Sequence, residues 1–100
     1  MKFTLIVPDG TMAIDGEGYS IDVSLAPAGL HAVQWYETWG EEEWVDNLGR
    51  VTNNEKIITF DLYQWAIDAW NNAKAEFKAA IAARQQIIQS AEGETGPTVI

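Results

Sequence analysis

The chain has 100 residues, 47% of them hydrophobic, and a formal charge of −9. That length supports one small domain, and the apolar content is that of a folding rather than a disordered chain. With no cysteine, disulfides and thiolate metal sites are excluded, and so acidic a chain lacks the Lys and Arg that phosphate recognition requires, which argues against nucleic acid as a partner.

Phe3 to Val7 is a β-rich run stopped by Pro8-Asp9-Gly10, a turn signal. It is too short for a secretory leader, and no other segment reads as a membrane span, so a cytoplasmic location is the expectation. A short strand from Thr11 to Ile14 meets the turn Asp15-Gly16-Glu17-Gly18. Tyr19 to Val23 then alternates large and polar side chains, as a half-buried strand does. Pro27 and Gly29 form a tight loop feeding a strand from His31 to Tyr36. Ala32, Gln34 and Tyr36 lie on one face of that strand, and His31, Val33 and Trp35 on the other. Trp39-Gly40 reads as a hairpin corner leading into Glu41 to Val45. Asp46-Asn47-Leu48-Gly49 turns the chain again, and Arg50-Val51-Thr52 adds a last short strand. Residues 1–60 thus read as an antiparallel meander of about five strands.

Asn53-Asn54-Glu55 breaks the β pattern, and Ile57-Ile58 tucks into the core as a connector. Asp61 is expected to cap a helix, its carboxylate accepting unpaired amides of the first turn. From Leu62 to Ser90 nothing breaks helicity, and Tyr63, Ile67, Trp70, Phe77, Ile81 and Ile88 form one stripe bordered by Ala73 and Ala80. Lys74 and Arg84 interrupt it near heptad core positions. The fold class is therefore α+β, a small antiparallel meander followed by one long C-terminal helix over residues 61–90. Trp35, Ile67 and Trp70 are expected in one core, with Trp44 beside them. A helix of this length spans roughly 43 Å, about twice the width of the β-domain. Its distal part should project with an apolar edge and form a homo-oligomer or bind another helix. Residues 91–100, with Gly93, Gly96 and Pro97, read as a flexible tail; the alternative is an arm in which Thr98-Val99-Ile100 adds to a sheet edge.

Reaction chemistry is not evident. His31, the single histidine, lacks a Ser or Cys nucleophile in a recognisable context and reads as a packed or capping residue. Glu41 and Glu43 share a strand face and read as a solvated sheet edge. Asp9-Gly10 and Asp15-Gly16 lack the spacing of a calcium loop, and Gly16-Glu17-Gly18 lacks the remainder of a dinucleotide fingerprint. No catalytic residue, metal ligand or cofactor is assigned. The residues assigned to protein binding are Trp39, at the exposed corner, and Phe77, Ile81 and Ile88, on the distal helix edge.

Asp15-Gly16, Tyr19 to Ser24 and the block Leu25-Ala26-Pro27-Ala28-Gly29-Leu30-His31-Ala32-Val33-Gln34-Trp35 resemble the amino-terminal region of small phage and prophage tail proteins. These are the tail-fibre assembly proteins and associated tail components. Gly40-Glu41, Asn54-Glu55-Lys56-Ile57, Tyr63, Trp70 and Ala73-Lys74 extend the resemblance over residues 10–78, and Leu25 to Trp35 is its most specific part. The resemblance implies a non-enzymatic phage protein that binds or helps to assemble a trimeric tail fibre, in the host cytoplasm during assembly or in the virion tail. Such proteins often continue into a further carboxy-terminal region that engages the fibre. This sequence ends soon after its helix, which keeps a retained virion subunit open beside an assembly chaperone. A third alternative is a small acidic inhibitor of a host DNA-binding enzyme. Up to Asp61 the chain carries eleven acids against Lys2, Arg50 and Lys56.

Overall fold

The structure, a computed structural model, describes residues 1–98, and their side chains as far as Gln89. Six strands are present: β1 (Lys2–Ile6), β2 (Thr11–Ile14), β3 (Glu17–Ser20), β4 (Leu30–Tyr36), β5 (Gly40–Val45) and β6 (Val51–Ile57). A single 3-10 turn, Asp61–Tyr63, leads into the helix α1 (Gln64–Thr98). The architecture is α+β. The sheet order is β3-β2-β1-β4-β5-β6, every pair antiparallel. Two three-stranded meanders are thus joined along β1 and β4. The segment 21–29 makes this junction by crossing one end of the sheet. Its start is fixed by the Ile21 amide donating to the Gly10 carbonyl at 2.8 Å, and the strand it feeds by the Val7 amide donating to the His31 carbonyl at 2.9 Å.

Several boundaries differ from the expectation, each for a local reason. Among the described residues there are six strands, and the last, expected only over Arg50-Val51-Thr52, runs from Val51 to Ile57. Asn53-Asn54-Glu55 does not break the β pattern but lies inside β6, pairing with Trp44, Glu43 and Glu42 respectively. β6 is an edge strand, exposed as far as Lys56, so no buried face selects alternating apolar residues, and polar side chains suit an edge that must not recruit another sheet. The strand expected over Tyr19 to Val23 leaves the sheet after Ser20. Ile57 closes β6 half-buried, whereas Ile58 is exposed. Asp61 does not cap the helix. Phe60 occupies the capping position without a side-chain hydrogen bond, and the Asp61 amide donates to Thr59 Oγ1 at 3.3 Å. α1 continues beyond Ser90, so the stretch expected to be a tail is helical as far as Thr98. Val99 and Ile100, and with them the arm expected at Thr98-Val99-Ile100, lie outside the described residues.

Strand alternation builds the core. Phe3 and Leu5 of β1, Met12 and Ile14 of β2, and Val33 and Trp35 of β4 point to one face, where α1 lays Ala66, Ile67 and Trp70 beside Tyr63. Trp35, Ile67 and Trp70 therefore belong to one buried cluster, with Trp44 half-buried at its side. Phe60 packs edge-on against Trp35, ring centroids 5.2 Å apart, just before the helical turn begins. Gly40 makes the neighbouring contact feasible. A Cβ there would lie 2.5 Å from the Gln34 carbonyl oxygen and 2.9 Å from Trp35 Cε3, so only glycine lets the indole lie flat against β5.

Candidate functional site

The helix crosses the sheet and leaves it at one edge. At its start the Tyr63 hydroxyl donates to Glu42 of β5. Two turns on, Trp70 Nε1 donates to the Glu17 carbonyl of β3 at 2.9 Å, and Lys74 Nζ lies 3.3 Å from Glu17 Oε1. Tyr19 of β3 meets the rings of both Trp70 and Phe77, at 5.5 and 5.7 Å. β3 is the last strand on that side, so α1 has no sheet of its own beneath it beyond Phe77. The apolar spacing nevertheless continues. Phe77 is 52% exposed, Ile81 41% and Ile88 47%, and Ile87 beside them is more exposed still. Exposed apolar side chains are thus ordered along one helical edge.

Trp39 occupies the β4–β5 corner. The Tyr36 amide donates to the Trp39 carbonyl at 2.7 Å, closing the turn, and Glu37 takes a positive φ of 92° within it. The Trp39 ring lies against Tyr36, centroids 4.7 Å apart, and the Lys56 ammonium sits 5.3 Å from its centre. It remains 37% exposed. Tyr36 and Lys56 therefore extend this surface, and sequence reasoning had named neither as part of it. No local signal marks Lys56: only the β5–β6 register, with Lys56 opposite Glu41, brings it beside the corner. The structure brings Phe77, Ile81 and Ile88 onto one edge, but not Trp39. That residue flanks β6, at the sheet edge opposite β3.

A buried carboxylate also escaped the sequence reading. Glu42, 8% exposed, accepts from the Tyr63 hydroxyl, and Trp44 Nε1 approaches its other oxygen at 3.4 Å. Its place between Gly40 and Trp44 on the inward parity of β5 was the missed signal. Burial, and then the bond to Glu42, push the Tyr63 phenol well above its usual range. The pair stitches the start of the helix to β5 and holds no open site. Glu17 is held below the ordinary carboxylate range, chiefly by the hydrogen bond from Tyr19 and further by Lys74, against an opposing effect of burial.

Among the described residues nothing covers the face of the sheet away from α1. The crossing segment packs through Val23 and Ala26 against the same core as the helix. Thr4, Ile6, Ala13, Ala32 and Gln34 line a shallow groove along the opposite face, where Thr4 Oγ1 donates to Gln34 Oε1 at 2.8 Å. Glu41 and Glu43 border it, paired across from Gln34 and Ala32. His31 Nδ1 lies 2.6 Å from Glu43 Oε1. β5 is an interior strand, so these acids form the rim of a groove and not, as the sequence reading expected, the sheet edge. Among the described residues no cluster of His, Cys, Asp or Glu is arranged to hold a metal ion, and no helix is long and apolar enough to cross a membrane. Comparison with protein-family models, with curated proteins and with solved structures finds no match to this chain.

Proposed function

We propose that this chain is a non-enzymatic, protein-binding phage protein that binds a tail component or helps to assemble a tail fibre, self-associating through the distal part of its helix. One observation carries the binding reading: the apolar edge, from Phe77 against Tyr19 of β3, continues through Ile81 and Ile88 past the sheet of its own chain. The tail assignment rests on the resemblance at Leu25 to Trp35. In that block Leu30, Val33 and Trp35 are core residues, whereas Leu25, Pro27, Ala28 and Gly29 lie exposed at the surface. The Trp39 corner, with Tyr36 and Lys56, supplies the contact to the fibre, since aromatic anchors beside a cation suit a protein interface.

The test is coexpression with the tail fibre encoded by the same phage, scoring soluble fibre trimer and retained complex. Copurification that is lost on Trp39→Ala supports the reading, as does improved trimer yield. A fibre that matures equally well alone and never copurifies overturns it. Cosedimentation with purified virions separates a retained tail subunit from an assembly chaperone. The acidic-inhibitor reading finds its support in Glu41 and Glu43 on the uncovered face, and capture of a host nuclease in the same pull-down would favour it.

A further inference from the structure

The distal helix edge and the uncovered sheet face are two unpartnered surfaces of one chain, and we propose that each covers the other in a reciprocal dimer. In it, α1 of each copy crosses its own sheet, passes the β3 edge and continues across the uncovered face of the second copy. This rests on the self-association part of the functional reading above and names what the helix packs against.

Three observations converge on that occupant. The first is direction. The stripe that packs Tyr63, Ile67 and Trp70 on the chain's own sheet continues, at the same three-and-four spacing, through Phe77, Ile81 and Ile88. What lies beneath the distal half must therefore be a surface roughly level with that sheet. A second copy turned over about a two-fold axis in the sheet plane, near the β3 edge, places its uncovered face there. The same rotation lays its own helix under the first sheet, so the contact is self-complementary and closed.

The second is length. From Lys78 to Thr98 the helix extends about 31 Å at 1.5 Å per residue. Six strands at their usual spacing of about 4.8 Å span nearly the same distance. A helix footprint of that length and about 10 Å wide, counted on both surfaces of both contacts, comes to about 1,200 Å². That is the lower end of specific interfaces.

The third is charge. The stretch from Lys74 to Gln89 carries Lys74, Lys78 and Arg84 against Glu76 alone, while the segment up to Asp61 carries eleven acids against three bases. That stretch alone is cationic, since Glu92 and Glu94 follow further along the helix, and it is this stretch that would first meet the strongly anionic sheet domain of the second copy. A helix-to-helix pair fits less well, because Arg84 stands in the middle of the stripe, between Ile81 and Ile88, and would face its own copy.

Disulfide mapping tests the arrangement cleanly because the chain has no cysteine. Chains carrying Ile81→Cys or Ile88→Cys are mixed with chains carrying Ala13→Cys or Ala32→Cys and oxidised gently. The expected product is a covalent dimer joining a helix variant to a sheet variant, with little dimer from either helix variant alone. Predominant helix-to-helix disulfides overturn the proposal. The unsubstituted chain should sediment as a dimer in the tens of micromolar. Ala13→Arg with Ala32→Arg should render it monomeric while near-ultraviolet circular dichroism is retained. A monomeric parent chain, or a dimer indifferent to a folded double-Arg variant, overturns the proposal too. Fibre copurification is scored separately. A dimer that ignores the fibre sinks the tail reading alone, and a monomer that binds it sinks the dimer alone.

Discussion

The two halves of α1 carry one apolar pattern and meet opposite fates. Over Tyr63 to Trp70 the stripe joins the core of the sheet, reaching β3 through Trp70, and is buried; over Phe77 to Ile88 the same spacing is exposed. The lesson is that periodicity specifies which side of a helix is apolar, while the extent of the sheet decides how far along the helix that side is covered. Stability should therefore be concentrated in the first half of α1 and association in the second.

The strongest way to break this comparison is Trp70→Ala. Loss of a buried aromatic that also bonds the Glu17 carbonyl should cost about 3–5 kcal/mol. In a domain of this size the thermal midpoint should fall by more than ~10 °C, read by circular dichroism. A midpoint that did not move would remove the docked half of the comparison.

Glu42 sharpens it next. Glu42→Leu leaves the buried Tyr63 hydroxyl without its acceptor and should cost about 1–3 kcal/mol. Adding Tyr63→Phe should recover most of that loss, because both polar partners are then gone. A double-mutant cycle in urea with additive effects would show that the pair does not act as one unit.

Glu17 makes the pH dependence specific. Its folded pKa is depressed, so its contribution is present above the ordinary Glu value near 4.3 and is lost as pH falls through the lower folded value. Glu17→Gln should lower stability slightly at neutral pH and leave it nearly unchanged below the acid window, so that the profile flattens across that window, measured by urea midpoints across pH. An unchanged acid limb would assign that limb to other carboxylates.

The smallest effect should come from the other half of the helix. Ile81→Ala, assayed at a concentration where the chain is monomeric, should shift stability by no more than about 0.5 kcal/mol, as surface substitutions do. The same variant should weaken self-association in sedimentation equilibrium. A loss of stability comparable to that of Trp70→Ala would mean that Ile81 is packed within its own chain.

Much of this was legible in the sequence, and what was not has physical causes. The change of period from two to 3.6, the Pro8-Asp9-Gly10 turn and the joining of Trp35, Ile67 and Trp70 in one core all follow from alternation and helical spacing. The length of β6 beyond Arg50-Val51-Thr52 was hidden because an edge strand solvated on both faces imposes no alternation on Asn53-Asn54-Glu55. The β1–β4 junction was hidden because non-local pairing leaves no local mark. The Asp61 cap failed because the chain enters α1 through a 3-10 turn, with Phe60 held against Trp35 at the capping position. Of the candidate surfaces, Phe77, Ile81 and Ile88 were visible as an unmatched length of stripe. Tyr36 and Lys56 around Trp39 emerge only once β5 and β6 are in register.

Gly40 sets the terms on which the Trp39 corner can change. Any side chain there runs into the backbone of β4 and the face of Trp35, and Trp35 carries Phe60 and the entry to the helix. The corner is thus divided at one peptide bond. On one side, Thr38 and Trp39 stand exposed and can be exchanged to retarget the surface. On the other, Gly40 tolerates no replacement that leaves the hydrophobic centre intact. Substitution at Thr38 or Trp39 should therefore leave the fold intact, whereas substitution at Gly40 should not.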